Sequence, residues 1–379
     1  MKILHILTEK GWRGGEIQAF ALCEGLKRRG LAIVATAVRG SQAAVKFGEY
    51  NIPCHELPGG RSYDLRTLIK LRSIIKREEP DLIHCHTAAA HSLALPAILK
   101  NRGYPDNPLL VSRRVDFPVA TTPFSSWKYM HPRIVYIAIS KGVKNVLRQA
   151  GIPVEKIHVV FSGIDSSRFD RPVKTRMDIL EEAGIAPEAF IIGNVAALAD
   201  HKGQRYLIDA MPAVMREIPH AILLIAGEGE ERRNLEARIH AQGLEKNVVL
   251  LGYRNDIGDV IRAFDLFVLS SHLEGLCTSI LDAMALNIPV VATDTGGVPD
   301  AVIDGETGVL IEPRNPDALS RAIIHACRNR PETQRMAENA KQRVEALFTL
   351  EHMVEKTLQV YQIILKQGGK NIAYEEKRS

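Results

Sequence analysis

The stretch LFVLSSHLEGLCTSILDAMALNIPVVAT (residues 266–293) decides the fold. It joins an apolar run at 266–270 to a second apolar run at 289–293 through a polar loop and a segment of helical periodicity. Runs that are apolar throughout are typical of strands buried on both faces of a parallel sheet. Two such strands need a crossover helix, and these crossovers are right-handed. The stretch therefore predicts one βαβ unit of an α/β protein.

The same alternation runs along the chain, whose 379 residues are long for a single core. The predicted strands are 2–7, 32–38, 81–86, 109–112, 134–139 and 156–161, then 190–196, 221–227, 248–252, 266–270 and 289–293. A polar, turn-rich segment at 162–176 interrupts the pattern once. We expect two doubly wound Rossmann-like domains, 1–165 and 172–349, facing each other across a cleft, with a C-terminal helix at about 350–367 packing back on the first.

Composition excludes several protein classes. With 46% hydrophobic and 25% charged residues the chain reads as globular, and it has no apolar run of the ~20 residues that span a bilayer. The apolar run before Glu9 is too short for a secretory signal. The five cysteines are odd in number and scattered, as in a reduced, cytoplasmic protein. A net charge of +5 without an aromatic stacking platform does not predict a nucleic-acid partner.

One predicted helix is both basic and amphipathic. Its basic residues are Arg61, Arg66, Lys70, Arg72, Lys76 and Arg77, and its apolar ones are Leu65, Leu68, Ile69, Leu71, Ile74 and Ile75. Such a helix is either an ordinary solvated outer face or a surface attracted to anionic membrane lipids. The sequence leaves both interpretations open.

Ligands of doubly wound sheets bind at the carboxyl ends of the strands, where several candidate residues fall. Gly14 and Gly15 follow the first strand in a Gly-rich turn that suits a phosphate, although the turn is not a GxGxxG motif. His84 and His86 share one strand end but have no further metal ligands nearby in sequence, so no metal site is predicted. Lys202 stands at a helix entrance, which favours an anion.

Glu274 and Asp282 are two carboxylates eight positions apart, with the predicted start of a helix between them. A buried charge is costly unless something binds it. Cys277 and Thr278 would open that helix, leaving free N–H groups for a phosphate. Carboxylates on both sides could then accept hydrogen bonds from the hydroxyls of a nucleotide sugar. A glycosidase pair is the alternative, which requires one carboxyl with a raised pKa.

At this point the chain resembles the retaining glycosyltransferases of family four (group 1), which have the GT-B architecture. The resemblance rests on RGGE (13–16), DLIHCHT (81–87), IAISKGV (137–143), HKGQRYLIDA (201–210), LGYRNDI (251–257) and, above all, the block from Ser270 to Ile311. It implies sugar transfer from a nucleotide-diphosphate sugar without a cofactor or a metal. UDP-sugars are the first candidates for this donor.

The arginine pair Arg113 and Arg114 at a strand end, together with the basic helix, predicts an anionic acceptor. A lipid-linked or lipopolysaccharide-type glycan precursor of the cell envelope is the first candidate, with peripheral contact at the inner face of the cytoplasmic membrane. The alternative is that the two arginines pair with local acids such as Asp116 and only order the loop.

The resemblance also assigns roles to residues of this chain. The implied catalytic residues are Glu274, His86 and Lys202. The implied donor-binding residues are Gly14, Gly15, Lys202, Glu228, Tyr253, Arg254, Leu276, Cys277, Thr278 and Asp282. The expected acceptor-side residues are Glu16, Arg113, Arg114 and Asp116.

Four positions depart from the family pattern. Asp282 replaces a glutamate, Ala197 stands where an arginine usually precedes the lysine, and Ser162 replaces a linker asparagine. The segment SRRVDF (112–117) stands where many members have a histidine. Two other functions therefore stay open: a nucleotide-sugar epimerase of the same architecture and a non-catalytic sugar-nucleotide-binding protein. A Rossmann dehydrogenase is disfavoured because no GxGxxG follows the first strand.

Overall fold

The chain was analysed as a computed structural model that describes residues 1–99, 107–119 and 122–367. It divides into two compact units, one formed by Met1–Gly163 together with Leu350–Gln367, and the other by Ile164–Thr349. Each unit is a parallel sheet flanked by helices. The predicted α/β fold with two doubly wound domains is confirmed.

The first unit contains a seven-stranded parallel sheet of order β3-β2-β1-β4-β5-β6-β7. Its elements up to Gly163 are β1 (Lys2–Ile6), α1 (Gly14–Arg28), β2 (Ala32–Val38), α2 (Gln42–Glu49), β3 (Cys54–Leu57), α3 (Leu65–Glu78), β4 (Leu82–Cys85), α4 (Ala88–Leu99), β5 (Leu109–Arg113), α5 (Pro123–Met130), β6 (Ile134–Ala138), α6 (Lys141–Gln149) and β7 (Ile157–Val159). The order reverses between β1 and β4, so the loops after these two strands flank the switch point where such sheets bind ligands.

The second unit contains a six-stranded parallel sheet of order β10-β9-β8-β11-β12-β13. Its elements are α7 (Arg176–Glu182), β8 (Phe190–Val195), α8 (Gln204–Glu217), β9 (Ala221–Ala226), α9 (Arg232–Ala241), β10 (Val248–Gly252), α10 (Ile257–Arg262), β11 (Leu266–Leu269), α11 (Thr278–Ala285), β12 (Val290–Thr293), α12 (Val298–Ala301), β13 (Val309–Ile311), α13 (Pro316–Arg328) and α14 (Arg330–Leu347). Here the switch point lies between β8 and β11.

The final helix, α15 (Leu350–Gln367), packs within the first unit, mainly against α1. Gly25 of α1 allows this approach, because a Cβ at that position would lie 2.4 Å from a methyl group of Val354. Leu358, Tyr361 and Ile364 join the core beneath the sheet. Among the described residues, no helix combines the length and the apolar character needed to cross a membrane.

Two strands escaped the sequence prediction. β3 has the sequence CHEL, whose polar residues hide an edge strand paired with β2. β13 has only three residues, VLI. It pairs with β12 and is an edge strand of the sheet in the second unit. Edge strands are short and half-solvated, so they lack the long apolar run that marks a central parallel strand.

Candidate functional site

In the second unit, the loops after β8 and β11 meet at the switch point. The Ser270 hydroxyl donates a hydrogen bond to the Lys202 carbonyl oxygen at 3.1 Å, and the His272 N–H donates to the His201 carbonyl oxygen at 2.9 Å. These contacts fix the position of Lys202, which ends a short 3₁₀ turn at Asp200–Lys202. The sequence-predicted cation is therefore held by its backbone at the edge where ligands bind.

Gly203 makes this junction sterically allowed. Its φ is +66°, a region that side chains disfavour, and a Cβ there would lie 2.1 Å from the Ser270 carbonyl oxygen. The residue after Lys202 thus has to be glycine for the two loops to approach.

The Lys202 side chain forms an ion pair with Glu274. Its Nζ lies 2.5 Å from the Glu274 Oε2, and the Ser271 hydroxyl donates to the same oxygen at 3.2 Å. The side chains are 17% and 8% exposed, so the pair is largely shielded from water. Two residues that the sequence assigned to catalysis are brought into direct contact.

The start of α11 lies beside this pair. Cys277 is the N-cap residue and makes no standard side-chain cap. Its sulfur lies 3.0 Å from the Ser279 hydroxyl, and a contact with the Ile280 backbone helps to lower the pKa of the thiol. Burial raises the pKa of the Cys277 thiol, the Glu274 charge raises it further and the Lys202 charge lowers it, which places both charges close to the helix start. First-turn N–H groups that have no partner within the helix, the positive end of the helix dipole and a lysine form a site suited to an anion.

Asp282 lies one turn further along α11 and is buried. Its carboxylate forms an ion pair with Arg168, which sequence reasoning did not single out. Burial raises the pKa of Asp282, and the Arg168 guanidinium opposes that rise. Glu274 and Asp282 therefore have different cationic partners. No sequence signal linked Arg168 to Asp282, which are 114 positions apart.

The loops after β9 and β10 hold three further predicted donor residues, Glu228, Tyr253 and Arg254, while the buried Leu276 lies just before α11. The Leu198 N–H donates to the Glu228 carbonyl oxygen at 3.0 Å, which joins the Glu228 loop to the loop before Lys202. The Glu228 carboxylate pairs with Arg232 at 2.5 Å. Tyr253 is 64% exposed. A Cβ at Gly252, the residue before Tyr253, would lie 3.1 Å from the Glu228 carboxylate, so the loop of the exposed Tyr253 passes close to this partly neutralised group.

Arg254 is less available than the sequence suggested. Its guanidinium pairs with Glu182 at 3.0 Å and with Asp256 at 2.5 Å. These carboxylates also pair with Lys174, so Arg254 belongs to a local ion network. A direct ligand contact would require breaking part of that network.

In the first unit, Gly14 and Gly15 form the first turn of α1. The Arg13 N–H donates to the Glu16 carboxylate at 3.3 Å, and the missing Cβ of Gly15 would lie 3.7 Å from the Arg114 Cδ. Burial raises the pKa of Glu16, while Arg114 is among the groups that lower it. Burial lowers the pKa of Arg114 to about 10, with Glu16 opposing. Three predicted residues, Gly15, Glu16 and Arg114, are thus neighbours.

Arg113 has a different environment. Its three nitrogens donate to the Val115 carbonyl at 3.2 Å, to the Tyr129 hydroxyl at 2.8 Å and to the Phe117 carbonyl. The side chain is buried, and these contacts order the loop that carries the half-buried Asp116. The Arg113 guanidinium therefore donates its hydrogen bonds to other groups of the protein. Arg114 is the better candidate for a cation that contacts the acceptor.

His86 lies in a cluster of three histidines at the first unit's switch point. His5 on β1 is in register with His84 on β4, and the His5 Nδ1 lies 2.9 Å from the His86 Nε2. The His84 nitrogens contact the Tyr361 hydroxyl at 2.7 Å and the Ser112 hydroxyl at 2.8 Å. Burial lowers the pKa of His5 to about 3 and those of His84 and His86 well below the usual value, so all three are neutral.

Of the described residues, these three histidines are the group whose ligand atoms, all within 4.8 Å of one another, could hold a metal ion. The sequence did not reveal the third member, because His5 is distant in the chain. The His5–His86 contact and both His84 contacts are those of a hydrogen-bonded network. Any metal would have to replace them.

Comparison with known proteins decides the family. Residues 175–343 match the model of "Glycosyl transferases group 1", and residues 12–168 match that of "Glycosyltransferase Family 4". The chain belongs to the group 1 glycosyltransferases. This glycosyltransferase is 25% identical over 312 residues to UDP-Gal:alpha-D-GlcNAc-diphosphoundecaprenol alpha-1,3-galactosyltransferase of Escherichia coli, covering 79% of each protein. It is 23% identical over 308 residues to N-acetyl-alpha-D-glucosaminyl L-malate synthase of Bacillus anthracis, covering 80% of each.

Solved structures show the same fold. The crystal structure of HepE from Anabaena with UDP matches the glycosyltransferase with a TM-score of 0.83 at 22% identity, over 96% of this chain and 100% of that one. HepE with UDP-glucose matches with a TM-score of 0.82 at 23% identity, over the same shares. The glycosyltransferase therefore has the GT-B fold, with a Rossmann-like sheet in each unit.

Proposed function

We propose that this glycosyltransferase transfers a sugar from a nucleotide-diphosphate sugar, with a UDP-sugar as the first candidate, to an acceptor hydroxyl with retained anomeric configuration. The observation that carries the proposal is the Lys202–Glu274 ion pair beside the N-terminus of α11. The UDP and UDP-glucose complexes of HepE support the choice of donor by analogy of fold.

The donor diphosphate would bind where positive charge is already in place. Its oxygens would accept hydrogen bonds from the first-turn N–H groups of α11 and would draw the Lys202 ammonium away from Glu274. The same groups would stabilise the negative charge that grows on the diphosphate as the glycosidic bond breaks. This supplies the leaving-group stabilisation without requiring a bound metal.

Release from Lys202 would free the Glu274 carboxylate for the donor sugar. Carboxylates accept hydrogen bonds from paired hydroxyls, and Glu274 lies next to the proposed diphosphate position. Asp282 would bind the ribose hydroxyls after exchanging its contact with Arg168. The reaction would be a front-face displacement through an oxocarbenium-like state, in which the departing diphosphate and the acceptor share one face of the sugar.

The first unit would supply the acceptor side. Gly14, Gly15 and Glu16 open α1 beside Arg114, and His86 lies at the same sheet edge. The neutral His86 could hydrogen-bond a hydroxyl, and Arg114 could pair with an acidic group. We propose an anionic acceptor. A lipid-linked glycan precursor of the cell envelope is the first candidate, because the E. coli relative is named for a diphosphoundecaprenol acceptor. The enzyme would then act in the cytoplasm at the inner face of the membrane.

The test is product formation by the purified chain. Nucleotide-diphosphate sugars are offered with lipid-linked and small anionic acceptors, and the anomeric configuration of the product is read by NMR. We expect nucleotide diphosphate release that requires an acceptor, a retained configuration and a loss of about 10²-fold or more in turnover for Glu274→Gln. Acceptor-independent conversion of the donor would indicate an epimerase, and binding without turnover would indicate a non-catalytic sugar-nucleotide-binding protein.

A further inference from the structure

The helix α3 does not bury all of its apolar residues. Leu71, Ile74 and Ile75 are buried against the sheet, as the amphipathic pattern predicts. Leu65 and Ile69, by contrast, are 65% and 57% exposed. These two are four positions apart and therefore lie on one face of the helix. The predicted apolar face is thus split, and part of it is turned toward solvent.

Aromatic side chains extend this exposed face. Tyr63, just before α3, is 79% exposed, and its ring centroid lies 5.7 Å from that of Phe124 on α5. The Phe124 ring lies 5.6 Å from Trp127, and both are exposed. The segment before α3 and the helix α5, which are distant in the chain, therefore join in one aromatic surface. A cluster of exposed apolar side chains of this kind marks an interaction surface more often than scattered single residues do.

The exposed charges around this surface are mostly positive, and Asp64 between Tyr63 and Leu65 is half-buried and occupied as the N-cap of α3, where it accepts from the Arg66 N–H and the Thr67 hydroxyl. The helix segment from Leu65 to Arg77 contains Arg66, Lys70, Arg72, Lys76 and Arg77 and no acidic residue. Arg66 and Lys70 are exposed beside Leu65 and Ile69. The helix α5, with the sequence PFSSWKYM, also contains no acidic residue. Exposed aromatic and aliphatic groups among basic residues are the combination that binds an anionic bilayer interface.

We propose that this surface, formed by Tyr63, Leu65, Ile69, Phe124 and Trp127 with Arg66 and Lys70, docks the first unit on an anionic phospholipid bilayer. Arg66 and Lys70 lie at the level of the lipid phosphates, and the apolar side chains enter the interface between the headgroups and the acyl chains. Tyrosine and tryptophan suit this depth, because their rings are apolar and their polar atoms stay hydrated. None of these residues is among the donor-binding residues named above, so the docking can be tested without a nucleotide sugar.

The experiment is sedimentation of the full-length chain with phosphatidylcholine vesicles and with vesicles that also contain phosphatidylglycerol, without nucleotide. The variants are Arg66→Gln/Lys70→Gln, Trp127→Ser and a matched control, Arg335→Gln/Lys341→Gln, which removes two exposed charges from α14. We expect binding to anionic vesicles only, weakened about 30-fold by the first variant at roughly fivefold per basic residue. Raising the salt from about 0.1 to about 1 M should also weaken binding, because it shortens the Debye length from about 10 to about 3 Å.

A second readout reports the depth of docking. The chain has two tryptophans, so Trp12→Phe leaves Trp127 as the single tryptophan, which is excited selectively over tyrosine. Its emission should shift to the blue on anionic vesicles and be quenched by brominated acyl chains. The proposal is overturned by equal binding to both vesicle types, by an equal loss in the control, or by an unquenched Trp127. It is also overturned if sedimentation equilibrium shows a dimer that Trp127→Ser abolishes, because a second copy would then occupy the surface. None of these outcomes depends on catalysis.

Discussion

Replacing Lys202 with methionine would leave the Glu274 carboxylate without its cation at a position that is only 8% exposed. Two unit charges about 4 Å apart attract by about 4 kcal/mol at an effective dielectric constant of about 20. Desolvation of both ions cancels part of that attraction, and the 17% exposure of the Lys202 side chain lets water compensate in part. We therefore expect Lys202→Met to lower the free energy of unfolding by about 2 kcal/mol, which is below the roughly 3–5 kcal/mol that breaking a fully buried pair costs.

The assay is thermal and urea unfolding of the wild type, the two single variants Lys202→Met and Glu274→Gln, and the double variant. A loss of about 2 kcal/mol corresponds to about 4–8 °C for a domain of 150–250 residues. The double variant should be more stable than Lys202→Met, because it has no buried carboxylate at position 274 that has lost the Lys202 cation. The control is Arg328→Met, which removes one partner of an exposed pair with Glu217 and should change stability by about 0–1 kcal/mol. Additive losses in the double variant would refute the ion-pair reasoning.

Three further predictions concern stability. Gly203→Ala should cost about 2 kcal/mol or more beyond Gly305→Ala in urea unfolding, because both have positive φ but only Gly203 faces a carbonyl at 2.1 Å; equal costs would contradict the steric argument. Burial lowers the pKa of Lys128 from 10.5 to about 8, so between pH 8 and 10.5 the unfolded chain binds the Lys128 proton more tightly than the folded chain and stability should rise with pH. Lys128→Met should flatten this rise when urea midpoints are measured across that range, and an unchanged slope would disprove the role of Lys128. Tyr361→Phe should cost about 1–3 kcal/mol in chemical unfolding by removing the 2.7 Å contact with His84, and a neutral effect would show that this hydroxyl is dispensable.

The central strands and the switch-point residues could be predicted from sequence because each has a local signature. Apolar runs mark β8 and β11, and strand ends mark Lys202 and Glu274. The doubly wound order then brings those two ends side by side, so their contact follows from topology. The family resemblance and the fold it implied are both confirmed by the comparisons.

Contacts between distant, individually ordinary residues could not be predicted in this way. Arg168 lies in a polar connecting segment, and its pairing with Asp282 depends on tertiary placement alone. Arg113 reads as an anion ligand in sequence, but its donors are taken by two backbone carbonyls and a tyrosine. His5 joins the histidine cluster only because β1 and β4 are neighbours in the sheet. Side-chain partners of this kind leave no periodic or motif signal.

The most direct test of the donor site is calorimetric titration of UDP and of uridine into the wild type, Lys202→Met and the control Arg321→Met, whose side chain is exposed on α13. A charge-assisted contact is worth about 1.5–3 kcal/mol, which is a factor of about 10 to 150 in affinity. The account predicts that Lys202→Met weakens UDP binding by such a factor, leaves uridine binding unchanged and differs from the control in this respect. Equal UDP affinity in all three proteins would show that the diphosphate does not bind at Lys202 and the start of α11.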